Sequence, residues 1–138
     1  MLLLDAEPDD LIENLAEAAP AGTVHRPWGS YLDLVRTDAL VVKIIRVKPG
    51  CRTSLQFHRE RSEHWHVVGG VGRATIADRV LPLEAGASVD VPRTVVHRIE
   101  CTGSAALQIV EVQRGRCSEE DIVRIADDFG RAPADGSV

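Results

Sequence analysis

The chain has no CxxC pair, no apolar stretch approaching the roughly 20 residues that span a bilayer, no basic cluster and no internal repeat. Each absence excludes something. Its three cysteines, Cys51, Cys101 and Cys117, lie far apart; an odd, unclustered set argues for free thiols in a reducing compartment and against a disulfide framework or a thiolate metal knuckle. Arg and Lys stand singly among acidic residues and the formal net charge is -5, so neither nucleic acid nor an anionic membrane is an expected partner. The opening Met1-Leu2-Leu3-Leu4 is too short for a signal sequence and runs into Asp5 and Glu7, which predicts a cytoplasmic protein.

What remains is ordinary globular material. A length of 138 residues fits one domain, and 44% hydrophobic with 27% charged residues leaves disorder only for the ends. Within residues 7–20, Leu11, Ile12, Leu15, Ala18 and Ala19 form a one-sided apolar stripe behind Asp9 and Asp10, which predicts a helix over about Pro8 to Ala19, ended by Pro20-Ala21-Gly22. From Tyr31 to Val112 the texture changes to short β-rich runs: Tyr31–Val35, Val41–Lys48, Ser54–His58, Glu63–Val68, Gly72–Ile76, Ser88–Val91, Val96–Glu100 and Ala106–Val112. Turn residues stand between them, as in Pro49-Gly50, Gly69-Gly70, Ala85-Gly86 and Thr102-Gly103, so the expected fold is all-β: a sandwich, barrel or jelly roll. Ser118 with Asp121 resembles a capping box, followed by Ile122, Val123 and Ile125, and predicts a second helix closed by Phe129-Gly130-Arg131. Residues 132–138 read as a frayed tail.

The chemistry concentrates between Gly50 and Gly70. Gln56 and His58 are two apart and share a face of a strand, while Glu63 follows a polar run and begins the next strand. Pro92 precedes a turn, after which His97 lies on a further strand. One amide oxygen, two imidazoles and one carboxylate make a mixed set suited to a borderline or hard divalent ion. Any of these histidines alone is more often structural, but four donors with turns in the right places point to a metal site. Strand parity turns His64 and His66 away from the face that carries Glu63 and Trp65, and places Ser54 and Arg52 on the face of Gln56 and His58.

Gly50, then Gln56-x-His58, Glu63 and Gly70, resembles the first motif of the cupins; Gly86, Pro92 and His97 resemble the second. Gln56 in place of the usual first histidine, with Arg61-x-Glu63-His64-Trp65 and Val96-His97-Arg98, is similar to the cupin domain of type II mannose-6-phosphate isomerases. That domain is commonly the C-terminal part of a bifunctional enzyme with mannose-1-phosphate guanylyltransferase. The likeness runs from Arg26-Pro27-Trp28-Gly29-Ser30-Tyr31 to Asp127-Asp128-Phe129-Gly130-Arg131. It departs at Thr94, where the family has Gly, at Cys101, where it has Asn, and at Arg59 and His66.

The resemblance implies a single cupin domain over 1–138 (core about 23–131), a double-stranded β-helix or jelly-roll barrel with short N- and C-terminal helices. It implies a metal held by Gln56, His58, Glu63 and His97, with zinc first and manganese, iron, nickel or magnesium open. The implied activity is interconversion of mannose 6-phosphate and fructose 6-phosphate, with Arg52, Arg61 and Lys43 as catalytic or phosphate-contacting residues. The implied partners are a small sugar phosphate and a second copy in a homodimer. These 138 residues leave no room for a nucleotidyltransferase domain, so guanylyltransferase activity is not expected of them. Two alternatives stand beside this reading. One is a metal-binding cupin that binds or senses a sugar-like molecule without turnover. The other is an iron dioxygenase, which the two-His, Gln, Glu set fits less well.

Overall fold

The computed structural model describes residues 11–15 and 21–133. Among the described residues a short helix, α1 (Leu11–Leu15), is followed by eleven strands. They are β1 (Thr23–Arg26), β2 (Gly29–Arg36), β3 (Leu40–Val47), β4 (Leu55–Phe57), β5 (Arg61–Gly69), β6 (Gly72–Ile76), β7 (Arg79–Leu83), β8 (Ser88–Val91), β9 (His97–Cys101), β10 (Leu107–Gly115) and β11 (Val123–Ala126). Two antiparallel sheets result, of order β1-β2-β3-β10-β5-β8 and β11-β4-β9-β6-β7. This is the jelly-roll barrel expected of the sequence. Among the described residues no helix is long and apolar enough to cross a membrane.

Alternation builds the barrel. In β5, Arg61, Glu63, Trp65 and Val67 are buried while His64 and His66 are exposed, as a period of two demands. The inward apolar residues of both sheets meet in one core around Trp28, Tyr31, Ile45, Trp65, Leu83 and Ile99. β3 is covered on its other side as well: Ile44 packs with Leu32 and Ile12 of α1, and the Leu11 amide donates to Gln108 Oε1 at 2.9 Å. The predicted first helix is therefore present at Leu11–Leu15; its remaining residues, like most of the predicted tail, lie outside the described ones.

The turns need particular backbones. Gly70 has a φ of 88°, and a Cβ there would sit 2.5 Å from the Ala106 carbonyl oxygen, so only glycine fits between β5 and β6. Thr94 adopts a φ of 70° at the position where the resembling family has glycine.

Three features differ from expectation. β1 and β7 are strands that propensity did not mark; β7 contains Pro82 and an exposed Val80, which suits an edge and disguises it. The predicted C-terminal helix is not formed. Its residues make a turn, in which the Asp121 amide donates to the Ser118 carbonyl at 3.1 Å, and then β11, paired antiparallel with β4. Ile122, Val123 and Ile125 are β-branched and prefer a pleated surface. The Asp121 carboxylate does not cap its own segment. It accepts the amides of Arg59 and Glu60, both at 2.9 Å, and so ties the C-terminal segment across the β4–β5 turn.

Candidate metal centre

Three strands bring the donors together. His58 follows β4, Glu63 lies in β5 and His97 starts β9, and all three side chains are buried. His58 Nε2 stands 2.9 Å from Glu63 Oε1, and His97 Nε2 stands 3.6 Å from Glu63 Oε2. One ligating atom from each lies within 4.8 Å of the others.

The outward nitrogens decide what the inward ones can do. His58 Nδ1 is 2.7 Å from the Asp121 carbonyl oxygen and His97 Nδ1 is 2.9 Å from that of Val95. A carbonyl only accepts, so each Nδ1 carries a proton, and each Nε2 is the ring nitrogen turned to the centre, able to offer a lone pair to an ion once it is itself unprotonated. This is how ligating histidines are commonly oriented. His97 Nε2 is buried without a hydrogen-bond partner, an acceptor that awaits an electrophile. Burial holds the His97 imidazole below its usual pKa, against the pull of Glu63. Burial also opposes the Glu63 charge, but His97, His58 and Arg61 outweigh it and hold the carboxyl well below its ordinary range. A neutral imidazole and an ionised carboxylate are the forms that bind metal. The residues fit a divalent ion.

Gln56 lines the same pocket and is the register partner of His97 across β4 and β9. Its Oε1 accepts the Ser54 hydroxyl at 2.7 Å, which holds the amide in place. Trp65 Nε1 donates to Glu63 Oε2 at 2.9 Å, so the buried indole orients the carboxylate. The inward parity of Ser54 and Trp65 and the outward parity of His64 and His66 are as the sequence implied.

The other predicted residues divide. Arg61 is buried beside the cluster: its Nη1 donates to the Ser118 carbonyl at 2.9 Å and its Nε lies 3.5 Å from Glu63 Oε1. Lys43 lines the pocket, with Nζ 3.2 Å from Glu119 Oε1 and 4.1 Å from the Tyr31 ring centroid. Burial works against its ammonium, yet Glu111, Glu119 and Asp33 hold it charged. Arg52 is a correction. It turns outward, where Asp128 binds it with two hydrogen bonds of 2.7 and 2.8 Å. The inward parity ends at Ser54, because Arg52 lies before β4 and pairs only through an isolated bridge to Glu100.

The pocket also contains residues the sequence did not single out. Glu119, Ile122, Arg124 and Arg131 line it from the C-terminal segment. The β-branched Ile122-Val123-Arg124-Ile125 run was the available signal. Glu111, by contrast, shares a strand face with Gln113 by sequence parity, which marks the two as able to orient a ligand; it is buried in the wall, receives the Gln113 amide, and is pushed up to about 8 by burial and by Glu63.

Comparison with known proteins converges on one family. The family model described as mannose-6-phosphate isomerase C-terminal matches residues 13–127. The xanthan biosynthesis protein XanB of Xanthomonas campestris pv. campestris (strain B100) is 43% identical over 117 residues, covering 84% of this chain and 25% of the relative. The alginate biosynthesis protein AlgA of Pseudomonas aeruginosa is 41% identical over 129 residues, covering 93% and 26%. A mannose-1-phosphate guanylyltransferase of Salmonella montevideo is 40% identical over 121 residues, covering 87% and 26%. The chain thus spans about a quarter of the length of these relatives. Among solved structures, a single-substitution variant of the oxalate decarboxylase of B. subtilis superimposes with a TM-score of 0.69 at 21% identity, covering 83% of this chain and 33% of that one. The capsular polysaccharide assembling protein CapF of Staphylococcus aureus gives 0.65 at 20%, covering 76% and 34%. At such identities these two likenesses speak for the fold alone.

Proposed function

This chain belongs to the family of mannose-6-phosphate isomerase C-terminal domains, and we propose that it is itself a metal-dependent isomerase interconverting mannose 6-phosphate and fructose 6-phosphate. The observation that carries the proposal is the pair of buried imidazoles, each with Nδ1 tied to a backbone carbonyl and Nε2 turned onto Glu63. Such an arrangement serves a bound electrophile rather than packing.

His58, Glu63 and His97 would hold the ion, with the Gln56 oxygen as a fourth donor, and zinc is the ion we propose for this N/O set. A divalent ion there supplies Lewis-acid polarisation of the sugar carbonyl and orients its hydroxyls. The chain supplies the rest. Aldose–ketose exchange moves a proton between C1 and C2, and Glu111 is the pocket carboxyl whose burial lets it both hold and release one near neutral pH. Lys43, kept charged by its carboxylate neighbours, donates to a sugar oxygen and is not a base. Arg61 positions Glu63 and joins the cluster to the Ser118 carbonyl. A homodimer, covering sheet edges such as β1 or β8, belongs to the same proposal.

The test is direct. Metal-loaded protein is incubated with fructose 6-phosphate, and mannose 6-phosphate is assayed. Turnover that disappears with chelator and returns with zinc supports the proposal; no turnover with zinc, manganese, iron, nickel or magnesium sinks it.

A further inference from the structure

With Arg52 turned out of the barrel, the group that receives an anionic end of a ligand lies elsewhere. Among the described residues four basic side chains line the pocket: Lys43, Arg61, Arg124 and Arg131. Three are engaged. Lys43 faces Glu119 and Asp33. Arg61 is held by the Ser118 carbonyl and Glu63. Arg131 is gripped by both oxygens of Asp127, at 2.9 and 3.0 Å. Arg124 alone has no hydrogen-bond or ion-pair partner among the described residues, and its Nε is buried without an acceptor. An arginine left open in a pocket wall is unusual, because a buried donor without an acceptor loses its hydrogen bonds to water and gains none in return.

Its position is specific. Arg124 is the register partner of Gln56, which is the register partner of His97. Directly opposed residues of an antiparallel ladder share a face, so Arg124 stands on the face of the candidate metal donors. It is two strand spacings, about 10 Å, from His97. We propose that Arg124, flanked by Arg131, is an anion subsite that takes the phosphomonoester end of a ligand whose other end lies at His58, Glu63 and His97.

A guanidinium offers a planar fork that matches phosphate geometry. Burial disfavours the Arg124 charge and the neighbouring Arg131 and Arg26 add to that, so a dianion there would relieve a local excess of positive charge. Asp127 and Glu119 offset this only in part, since Asp127 is held by Arg131 and Glu119 lies with Lys43. The sugar-phosphate identity of the ligand rests on the isomerase reading; the anion subsite does not.

The test uses the full chain loaded with zinc and calorimetric titration with inorganic phosphate, mannose 6-phosphate and mannose. Wild type is expected to bind the two phosphates, and Arg124→Gln to bind them at least about ten-fold more weakly, with metal content and melting temperature unchanged. Arg52→Gln, outside the pocket, is expected to match wild type. Equal phosphate affinity in Arg124→Gln and wild type, or no phosphate binding by wild type, overturns the subsite. If Arg124→Gln fails to fold, Arg124→Met reads the same loss and is judged by the same criterion. Weakened phosphate binding without turnover in any variant keeps the subsite and removes the isomerase. Turnover by Arg124→Gln with an unchanged KM removes the subsite and keeps the isomerase.

Discussion

Strand β5 carries histidine–carboxylate contacts on both of its faces. Inside, Glu63 Oε1 lies 2.9 Å from His58 Nε2; outside, His64 Nδ1 lies 2.6 Å from Asp90 Oδ1. By distance the outer pair is the closer. By surroundings only the inner pair is a candidate site: the inner side chains are 2% and 4% exposed, the outer ones 47% and 83%. Water competes for both partners of the outer pair and screens their charge. Inside, the backbone carbonyls of Asp121 and Val95 fix the histidine tautomers, the Trp65 indole fixes the carboxylate, and the His97 lone pair has no partner. Function on this strand is therefore marked by enforced geometry rather than by short contacts.

The largest expected effect comes from breaking the inner member. Glu63→Gln keeps the shape but removes the charge that faces His58, His97 and Arg61. It is expected to lose stoichiometric zinc and at least about 100-fold of isomerase activity, measured by metal analysis and the fructose 6-phosphate assay. Asp90→Asn, the matched change outside, is expected to leave both untouched. Equal metal content in the two variants would erase the distinction between the faces.

A second, smaller effect separates the faces by pH. Glu111 belongs to the inner wall, and burial raises its folded pKa to about 8 from a usual value of 4.5. The folded protein then binds a proton that the unfolded chain releases between those values. The associated stability is fully present below about 4.5 and is lost as pH rises through about 8. Metal-free protein is expected to lose denaturant midpoint between about pH 5 and pH 8, and Glu111→Gln to lose less over the same range. Parallel slopes for the two proteins would show that Glu111 titrates normally.

The sequence made the inner face legible where a short period and a fixed spacing carried it. Gln56-x-His58 and the alternation from Glu63 to His66 required only that strands alternate, and the donors meet accordingly. Legibility failed where a side chain's direction depends on chain beyond its own strand. Arg52 shares the parity of Ser54 on paper, but it lies before β4 and is drawn outward by Asp128. Arg124 was hidden because Ser118 and Asp121 resemble a helix cap. Only the tertiary contact of Asp121 with Arg59 and Glu60 shows that this carboxylate is used elsewhere. Local pattern describes a residue's neighbours in sequence; β11 exists because β4 offers it a free edge.

The inner region also carries backbone strain, which gives a third test. Thr94 sits at a φ of 70° while its amide donates to the His58 carbonyl at 2.8 Å, so the turn is held against the segment that carries a candidate metal donor. A left-handed conformation costs an L-residue roughly 1–2 kcal/mol, and glycine returns about 0.4–1 kcal/mol of that through unfolded-state entropy. Thr94→Gly is accordingly expected to stabilise the fold by about 0.5–1 kcal/mol in denaturant unfolding, with metal content unchanged. A loss of stability would mean that the Thr94 side chain contributes more than its backbone costs.

The smallest effect is expected on the outer face, and it tests the comparison from the other side. His64 follows Glu63 within the motif, and its contact with Asp90 is the shortest histidine–carboxylate distance among those described. If closeness decided energy, His64→Ala and Asp90→Ala would couple strongly. Solvent exposure of both groups argues for coupling under about 0.5 kcal/mol in a double-mutant cycle, falling further with added salt. The inner cluster, shielded from water, is expected to keep its metal across the same salt range. A His64–Asp90 coupling above about 1 kcal/mol would place enforced geometry on both faces, and burial would no longer be what separates the site from the surface.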